Sequence, residues 1–440
     1  MKARTLKKDK VNIITLGCSK NMVDSEVLSG QLLANDIDTI HENEKRDHNI
    51  VIINTCGFID KAKEESIQTI LDNVALKKSG KLDKVYVTGC LSERYKNNLE
   101  EEIPEVDAYF GTMELPQILK KFDADYKGEL IGERMLATPS HYAYIKISEG
   151  CNRTCSFCAI PLMRGKHISR TIDSIVNEAN QLVKRGVKEV MLIAQELTYY
   201  GLDIYKERAL PRLLNELAAV PGLVWIRLHY AYPSKFPMDI LDAMNSHPNI
   251  CKYLDMPLQH AADNMLHAMK RNITRAEMET LIAAIRAKVP GICIRTTLIV
   301  GFPGETRADM EELKIFLQKM RFDRVGVFTY SHEDDTAAFA LNDTISAEEK
   351  EERAQEIMDC QQEIALEKNE EKIGKTMLVM VDRKESGRYL GRTEFDSVEV
   401  DNEVIINSTK KLTVGNFVMV KITKAYDYDL EGDVVAYAEN

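Results

Sequence analysis

The stretch AYIKISEGCNRTCSFC, residues 143–158, runs from an alternating β-rich segment through Gly150 into three cysteines, Cys151, Cys155 and Cys158. AYIKIS is the first of six such segments. EVMLIA (189–194), VWIRLHY (224–230), CKYLDM (251–256), CIRTTLIV (293–300) and RVGVFTY (324–330) follow, with helical patterns between most of them. Strands alternating with helices predict a parallel α/β sheet. Six parallel strands with crossovers fit a barrel, a partial barrel or an open sheet, and pattern alone does not choose among them.

The same alternation precedes this stretch. VNIITL (11–16), NIVIINT (49–55) and KVYVTG (84–89) read as buried parallel strands, with helices beginning near Asn21, Asp60 and Ser92 and a linker over 124–139. Residues 346–372 lack Gly and Pro and predict one long exposed helix. Beyond Gly374, TMLVMVD, RYLGRTE, VEV, EVIIN, NFVMVKITKAY and DVVAYA predict a small all-β barrel.

Composition narrows the class. The 440 residues carry a net charge of −11, which disfavours a protein that works mainly by gripping nucleic-acid backbone. Nine cysteines, about 2% of the chain, are too few for a disulfide scaffold. No run of about 18 apolar residues predicts a membrane span. The basic start MKARTLKKDK precedes only the short VNIITL, so no secretory leader is read and the cytosol is the expected compartment. Clustered cysteines there bind metal or do redox chemistry more often than they form disulfides.

Three thiolates within eight residues lack the second C-x2-C pair of a zinc site. A cube of four irons needs four ligands, so three cysteines leave one iron open to a substrate or cofactor. A structural cluster or a zinc site with a distant fourth ligand is the other reading. C-x3-C-x2-C, with Phe157 before the last cysteine, resembles the signature of radical S-adenosylmethionine enzymes. That resemblance implies a partial (β/α)6 barrel and S-adenosylmethionine chelated on the open iron, where one electron cleaves it to a 5′-deoxyadenosyl radical.

Cys18, Cys56 and Cys90 are 38 and 34 residues apart, yet each ends a predicted strand and enters a turn toward a helix. In a parallel sheet those ends share one edge, and a helix N-terminus favours the thiolate. This pattern resembles the N-terminal domain of the radical methylthiotransferases. It implies a second 4Fe-4S cluster, again short of one protein ligand, whose open iron holds the sulfur to be methylated and inserted. The expected α/β architecture is then a methylthiotransferase N-terminal iron–sulfur domain (9–125), a radical S-adenosylmethionine domain (137–370) and a TRAM-like barrel (373–440). The six cysteines carry the catalytic and metal roles, on two 4Fe-4S clusters. Cys251 and Cys293 begin strands and read as core, and Cys360 lies on the long helix.

The substrate divides the family between adenosine in transfer RNA and an aspartate of the twelfth small-subunit ribosomal protein. From Gly374 onward 9 Lys and Arg face 12 Asp and Glu, a net −3 that suits a basic protein better than phosphate. The segments 141–170, AQELTYYGLD (194–203), YLDMPLQHAADNMLHAMKR (253–271), RTTLIVGFPGET (295–306) and GVFTYSHEDDTAAF (326–339) resemble the aspartate-modifying branch, which implies attack at the aspartate β-carbon. PLQH stands where the transfer-RNA enzymes typically read PLQSGS. Glu196 departs from an expected Asp. Gln195, Glu196, Arg295, Thr297 and Phe157 are expected to contact the cofactor, and the GFPGET backbone to approach its adenine. Gln259 and His260 are further candidates. One of Arg164, Lys166, His167 and Arg170 is expected to pair with a carboxylate of substrate or cofactor. The expected partners are the ribosomal protein, free or in its subunit, and a low-potential electron donor, with no membrane and no dominant nucleic-acid contact. The alternatives are the same chemistry on transfer RNA, or a non-catalytic iron–sulfur sensor or binding protein.

Overall fold

The computed structural model describes residues 9–42, 48–128 and 134–437. The chain forms two compact units: residues up to 139 with 144–152 and 159–182, and residues 140–143, 153–158 and 183 onward.

The first unit is built on β1 (Lys10–Thr15), α1 (Ser19–Leu33), β2 (Asp38–His41), β3 (Ile50–Thr55), α2 (Asp60–Lys78), β4 (Lys84–Gly89), α3 (Cys90–Glu102), β5 (Ala108–Tyr109) and α4 (Leu115–Lys120). The strands form one parallel sheet in the order β2-β1-β3-β4-β5. Alternate residues feed opposite faces: Val51, Ile53, Val85 and Val87 pack toward α2 and α3, while Ile50, Ile52 and Tyr86 join Leu28 and Leu32 of α1. Burial on both faces explains why these strands read as continuous apolar runs. The edge strands β2 and β5, of four and two residues, fall below what periodicity detects. Helices α1 and α3 start at Ser19 and Cys90, two residues earlier than expected.

The central strands are β6 (Tyr142–Lys146), a short β7 (Ser148–Glu149), β9 (Glu189–Ile193), β10 (Trp225–Leu228), β11 (Ile250–Asp255), β12 (Cys293–Val300) and β13 (Arg324–Thr329). Helix α5 (Ile160–Arg164), strand β8 (Ile168–Ser169) and α6 (Ile172–Lys184) precede β9. The crossovers that follow use α7 (Leu210–Ala218), α8 (Ile240–Ser246), α9 (Asp263–Ala268), α10 (Arg275–Lys288) and α11 (Arg307–Met320). All six predicted strands are present in one sheet, ordered β6-β9-β10-β11-β12-β13. Addition of each strand beside the last, with no reversal, is barrel connectivity. Among the described residues no ladder joins β13 to β6, so the barrel is partial.

Helix α12 (Ala347–Glu370) leads to β14 (Thr376–Glu385), β15 (Arg388–Thr393), β16 (Val404–Asn407), β17 (Phe417–Ala425) and β18 (Leu430–Tyr437), which close a barrel in the order β14-β15-β16-β18-β17. The predicted strand VEV (398–400) is not one. It belongs to the β15–β16 loop, residues 394–403, which stops the N-terminal end of the partial barrel. Asp396 pairs with Arg324 at the start of β13 at 2.5 Å, and farther along the strands Asp401 accepts from the Tyr253 hydroxyl at 2.7 Å and Ser397 Oγ bonds His229.

A buried charge relay fixes this stopper. Glu189, fully buried at the start of β9, receives Arg227 Nε and Arg392 Nη2, each at 2.8 Å. Arg392 forks onto Asp382, which also meets His141 at 2.9 Å. Burial alone would raise the Glu189 carboxyl, but Arg392 and Arg227 outweigh it and hold it below the ordinary value. Asp382 is lowered in the same way by His141 and Arg392 against burial. A depressed folded-state pKa stabilises above the unfolded value of about 4.5 and loses that stabilisation as pH falls through the folded value. Glu189→Ala takes the carboxylate from buried Arg227 and leaves Arg392 with Asp382 alone, and the expected loss is about 3–5 kcal/mol at neutral pH. The gap between thermal melts of the two proteins should hold from pH 7 to about 4.5 and narrow below it, as pH falls toward the folded-state value of Glu189.

Candidate functional site

Cys18, Cys56 and Cys90 follow β1, β3 and β4, three adjacent strands of the N-terminal sheet. The register pairs Thr15 with Asn54 and Thr55 with Gly89, so the residues beyond these pairs emerge together at the carboxyl edge. The order 2-1-3-4-5 reverses direction between β1 and β3, and such a switch point opens a crevice for ligands. Cys18 is the N-cap of α1 and makes no side-chain cap bond, and Cys90 is the first residue of α3. Gly17 has φ +89°, and a β-carbon there would lie 2.7 Å from the Cys56 sulfur. Only glycine lets the first cysteine loop come so close to the second.

One side chain clasps the three loops. Asn21 is fully buried; its amide donates to the Leu16 carbonyl at 2.8 Å and to the Thr55 carbonyl at 3.1 Å. Its Oδ1 faces Cys90 Sγ at 3.8 Å and accepts from Arg164. Cys56 is braced separately, its backbone N–H and carbonyl both bonded to Ser66 Oγ at 3.0 and 2.9 Å. Burial pushes the Cys90 thiol up to about 11, opposed mainly by the Arg164 cation. Burial raises the Cys56 thiol too.

Among the described residues no three His, Cys, Asp or Glu groups converge tightly enough for a single metal ion. A cubane does not require that, because each of its irons takes its own thiolate. Three clasped thiols on one sheet edge, two of them at helix N-termini, fit such a cluster and fit no single ion.

The 151–158 loop is held by backbone bonds at both ends. Cys151 N–H donates to the Gly165 carbonyl at 3.1 Å. Farther along, Ser156 N–H donates to Met269 O at 3.1 Å and Ser156 O accepts from Ala338 N–H at 2.7 Å. Phe157 packs among Met265, Met269, Phe302 and Tyr330, which gives it a structural role in fixing the loop. Arg271 Nη1 donates to Cys155 Sγ at 3.1 Å, and the Tyr232 hydroxyl lies 3.8 Å from the same sulfur. Arg153 is sandwiched between the rings of Tyr199 and Tyr232, at 3.9 and 3.8 Å from their centroids.

Several expected contacts are occupied within the protein. Glu196, just past β9, receives Arg153 Nη2 at 3.0 Å and the Thr198 N–H at 2.6 Å, so its carboxylate braces the cysteine loop; Gln195 precedes it. Arg295 is neutralised by Asp255 at 3.1 Å and Asp401 at 3.3 Å, and it also donates to Thr297 at 3.3 Å. His260 is fully buried; its Nδ1 accepts from Ala262 N–H at 3.0 Å and its Nε2 meets Glu305 at 3.2 Å, a packed hydrogen-bonder. Gln259 holds φ +79° and pairs by backbone with Thr297 and Ile299. Glu305 accepts from the Gly301 N–H and from Arg353, which stiffens the GFPGET loop. The basic run after the loop is not a free cationic patch. Arg164 is buried against Asp24 and Cys90, Arg170 pairs with Glu178 at 2.5 Å, His167 bonds Ser169, and Lys166 alone is exposed. Cys251 and Cys293 lie in the core against Met380 and Phe417, as expected. Asn21, Arg153, Tyr232 and Arg271 are not singled out by the sequence: Arg153 fills one of the variable positions of CNRTCSFC, and the others meet the cysteines only through tertiary structure.

Family models match three segments: "Uncharacterized protein family UPF0004" over residues 10–111, the radical SAM superfamily over 145–317 and the TRAM domain over 373–435. The chain is 57% identical over 99% of its length to the full-length ribosomal protein uS12 methylthiotransferase RimO of Cytophaga hutchinsonii. It is likewise 57% identical over 98% of its length to the full-length protein of that name from Flavobacterium psychrophilum. Among solved structures it resembles TsrM from Kitasatospora setae, a radical S-adenosylmethionine methyltransferase with cobalamin and a [4Fe-4S] cluster. The TM-score is 0.55 at 14% identity, covering 74% of this chain and 75% of that one, a likeness of fold. No helix among the described residues is long and apolar enough to cross a membrane.

In metal-free protein, a Cys90 thiol at about 11 carries roughly a hundredfold less thiolate at neutral pH than one at 9.0. Iodoacetamide labelling followed by peptide mass spectrometry should find exposed Cys18 modified first. Cys90 modification should rise steeply only as pH approaches 11.

Proposed function

Because the chain belongs to the family of ribosomal protein uS12 methylthiotransferases, radical S-adenosylmethionine enzymes, we propose that its two cysteine trios divide the work of that reaction. Cys151, Cys155 and Cys158 hold the 4Fe-4S cluster that binds S-adenosylmethionine, and Cys18, Cys56 and Cys90 hold the one that carries the sulfur. When bound, the first supplies the electron that cleaves the cofactor's sulfonium and the second supplies the sulfur that is methylated and transferred. The observation that carries this division is the meeting of three cysteines, far apart in sequence, on adjacent strand ends at the switch point of the N-terminal sheet.

The chain's own residues bind and orient. Arg271 places a charge-assisted N–H on Cys155. Arg153, stacked between two tyrosines and tied to Glu196, keeps the loop from shifting. Asn21 sets the spacing of the other three loops. The substrate is an aspartate of the basic uS12 protein, modified at its β-carbon, and the −3 charge of residues 374–440 suits docking of such a partner. A low-potential donor supplies electrons, and the reaction takes place in the cytoplasm.

Cys56→Ala should still cleave S-adenosylmethionine to 5′-deoxyadenosine under reduction but transfer no methylthio group to uS12. Cys155→Ala should lose cleavage altogether. Iron analysis should fall from eight to about four per chain in each variant. Methylthio transfer by Cys56→Ala, read by mass spectrometry of uS12, would refute the division.

A further inference from the structure

Arg164 ends α5, only six residues after Cys158 in the chain, yet its guanidinium belongs to the other trio. It is 4% exposed, and its Nε lies 3.3 Å from Cys90 Sγ. The two Nη groups are committed elsewhere: Nη1 to Asp24 at 2.6 Å and Glu149 at 3.3 Å, Nη2 to the Asn21 amide oxygen. Lys146 shares both carboxylates. With both ends of the fork fixed, the Nε–H is aimed at sulfur. Ala159 and Met163 pack against Cys90 from the same short segment, so the approach is set by packing as well as by charge.

We infer that Arg164 is the positioning residue of the N-terminal cluster, donating an N–H···S bond to the Cys90 thiolate and tuning the potential of that cluster alone. The inference rests on the assignment of Cys18, Cys56 and Cys90 as ligands. Hydrogen bonds to cluster sulfur and nearby charge are the protein's means of setting such potentials. A cation on a ligand thiolate stabilises the more negative, reduced cluster, so its removal shifts the midpoint to a more negative value. The same segment that follows the last cysteine of one trio thereby governs the electronics of the other.

The test uses the full chain reconstituted with iron and sulfide. Arg164→Met and Arg164→Lys are each placed in a Cys155→Ala background, which keeps the N-terminal cluster, and in a Cys56→Ala background, which keeps the other. Redox titration followed by electron paramagnetic resonance reads the midpoints. The expected result is unchanged iron content and a negative shift of the N-terminal cluster in Arg164→Met. Arg164→Lys should lie between Arg164→Met and the parent, and neither substitution should move the other cluster. If Arg164→Met sheds the N-terminal iron, the lysine variant, which keeps the charge, decides by the same titration. Unmoved midpoints at full iron content, or equal shifts in both clusters, overturn the inference. A separate Cys90→Ala variant that keeps eight irons would instead overturn the ligand assignment beneath it.

Discussion

A parallel sheet delivers the residue after every strand to the same edge, and this constraint is what brings Cys18, Cys56 and Cys90 to one place in the fold. The three are separated by 38 and 34 residues, far too much for any local motif to relate them. The ladder supplies the relation: Thr55 opposite Gly89 and Thr15 opposite Asn54 bring their successors to one crevice. Gly17 and Asn21 then refine the spacing that the ladder makes coarse. The CNRTCSFC loop needs no such help, because its spacing is local, and the fold's contribution there is to hold it still with Ser156, Arg153 and Arg271.

This contrast explains how much of the fold is legible in the sequence. Strands buried on both faces, such as IVIINT of the N-terminal sheet, announce themselves through uninterrupted β-branched residues, while central strands such as β12 show through alternation of buried and half-buried residues. Edge strands of two and four residues carry too little pattern. VEV at 398–400 misled because alternation of Val and Glu is a strand signature, whereas here the backbone turns, with Glu399 at φ +69°, so that Asp401 and Ser397 can reach barrel residues. Cysteines at strand ends were legible because the residue type is rare and its chemistry narrow. Asn21 is not, since an Asn within a helix looks like surface until tertiary structure buries it; Arg164 stands out in its basic run, but its partners Asp24, Glu149 and Cys90 lie too far away in sequence to be read from it. Arg295 pairs with Asp255 and Asp401, and Glu196 with Arg153, partners that no spacing in the sequence relates to them.

The partial barrel carries different chemistry at its two ends. The carboxyl ends of its strands lead to the cysteine-loop braces Glu196, Tyr232 and Arg271. The amino ends are stopped by the C-terminal barrel, through a relay of buried ion pairs: Glu189 with Arg227 and Arg392, Asp382 with Arg392, Asp396 with Arg324. A relay of this kind adds little net stability compared with apolar packing, but loss of one member is costly, so it specifies one seating of the stopper.

Glu189 and Arg392 are 203 positions apart, and the stopper loop lies downstream of every strand it seals. A polypeptide leaves the translating ribosome from its amino terminus. The nascent enzyme therefore passes through a stage with all six central strands synthesised before the loop that seals them, with Glu189 paired to Arg227 but not yet to Arg392. Release of the strands from Thr376 onward is what turns an open trough into a sealed vessel.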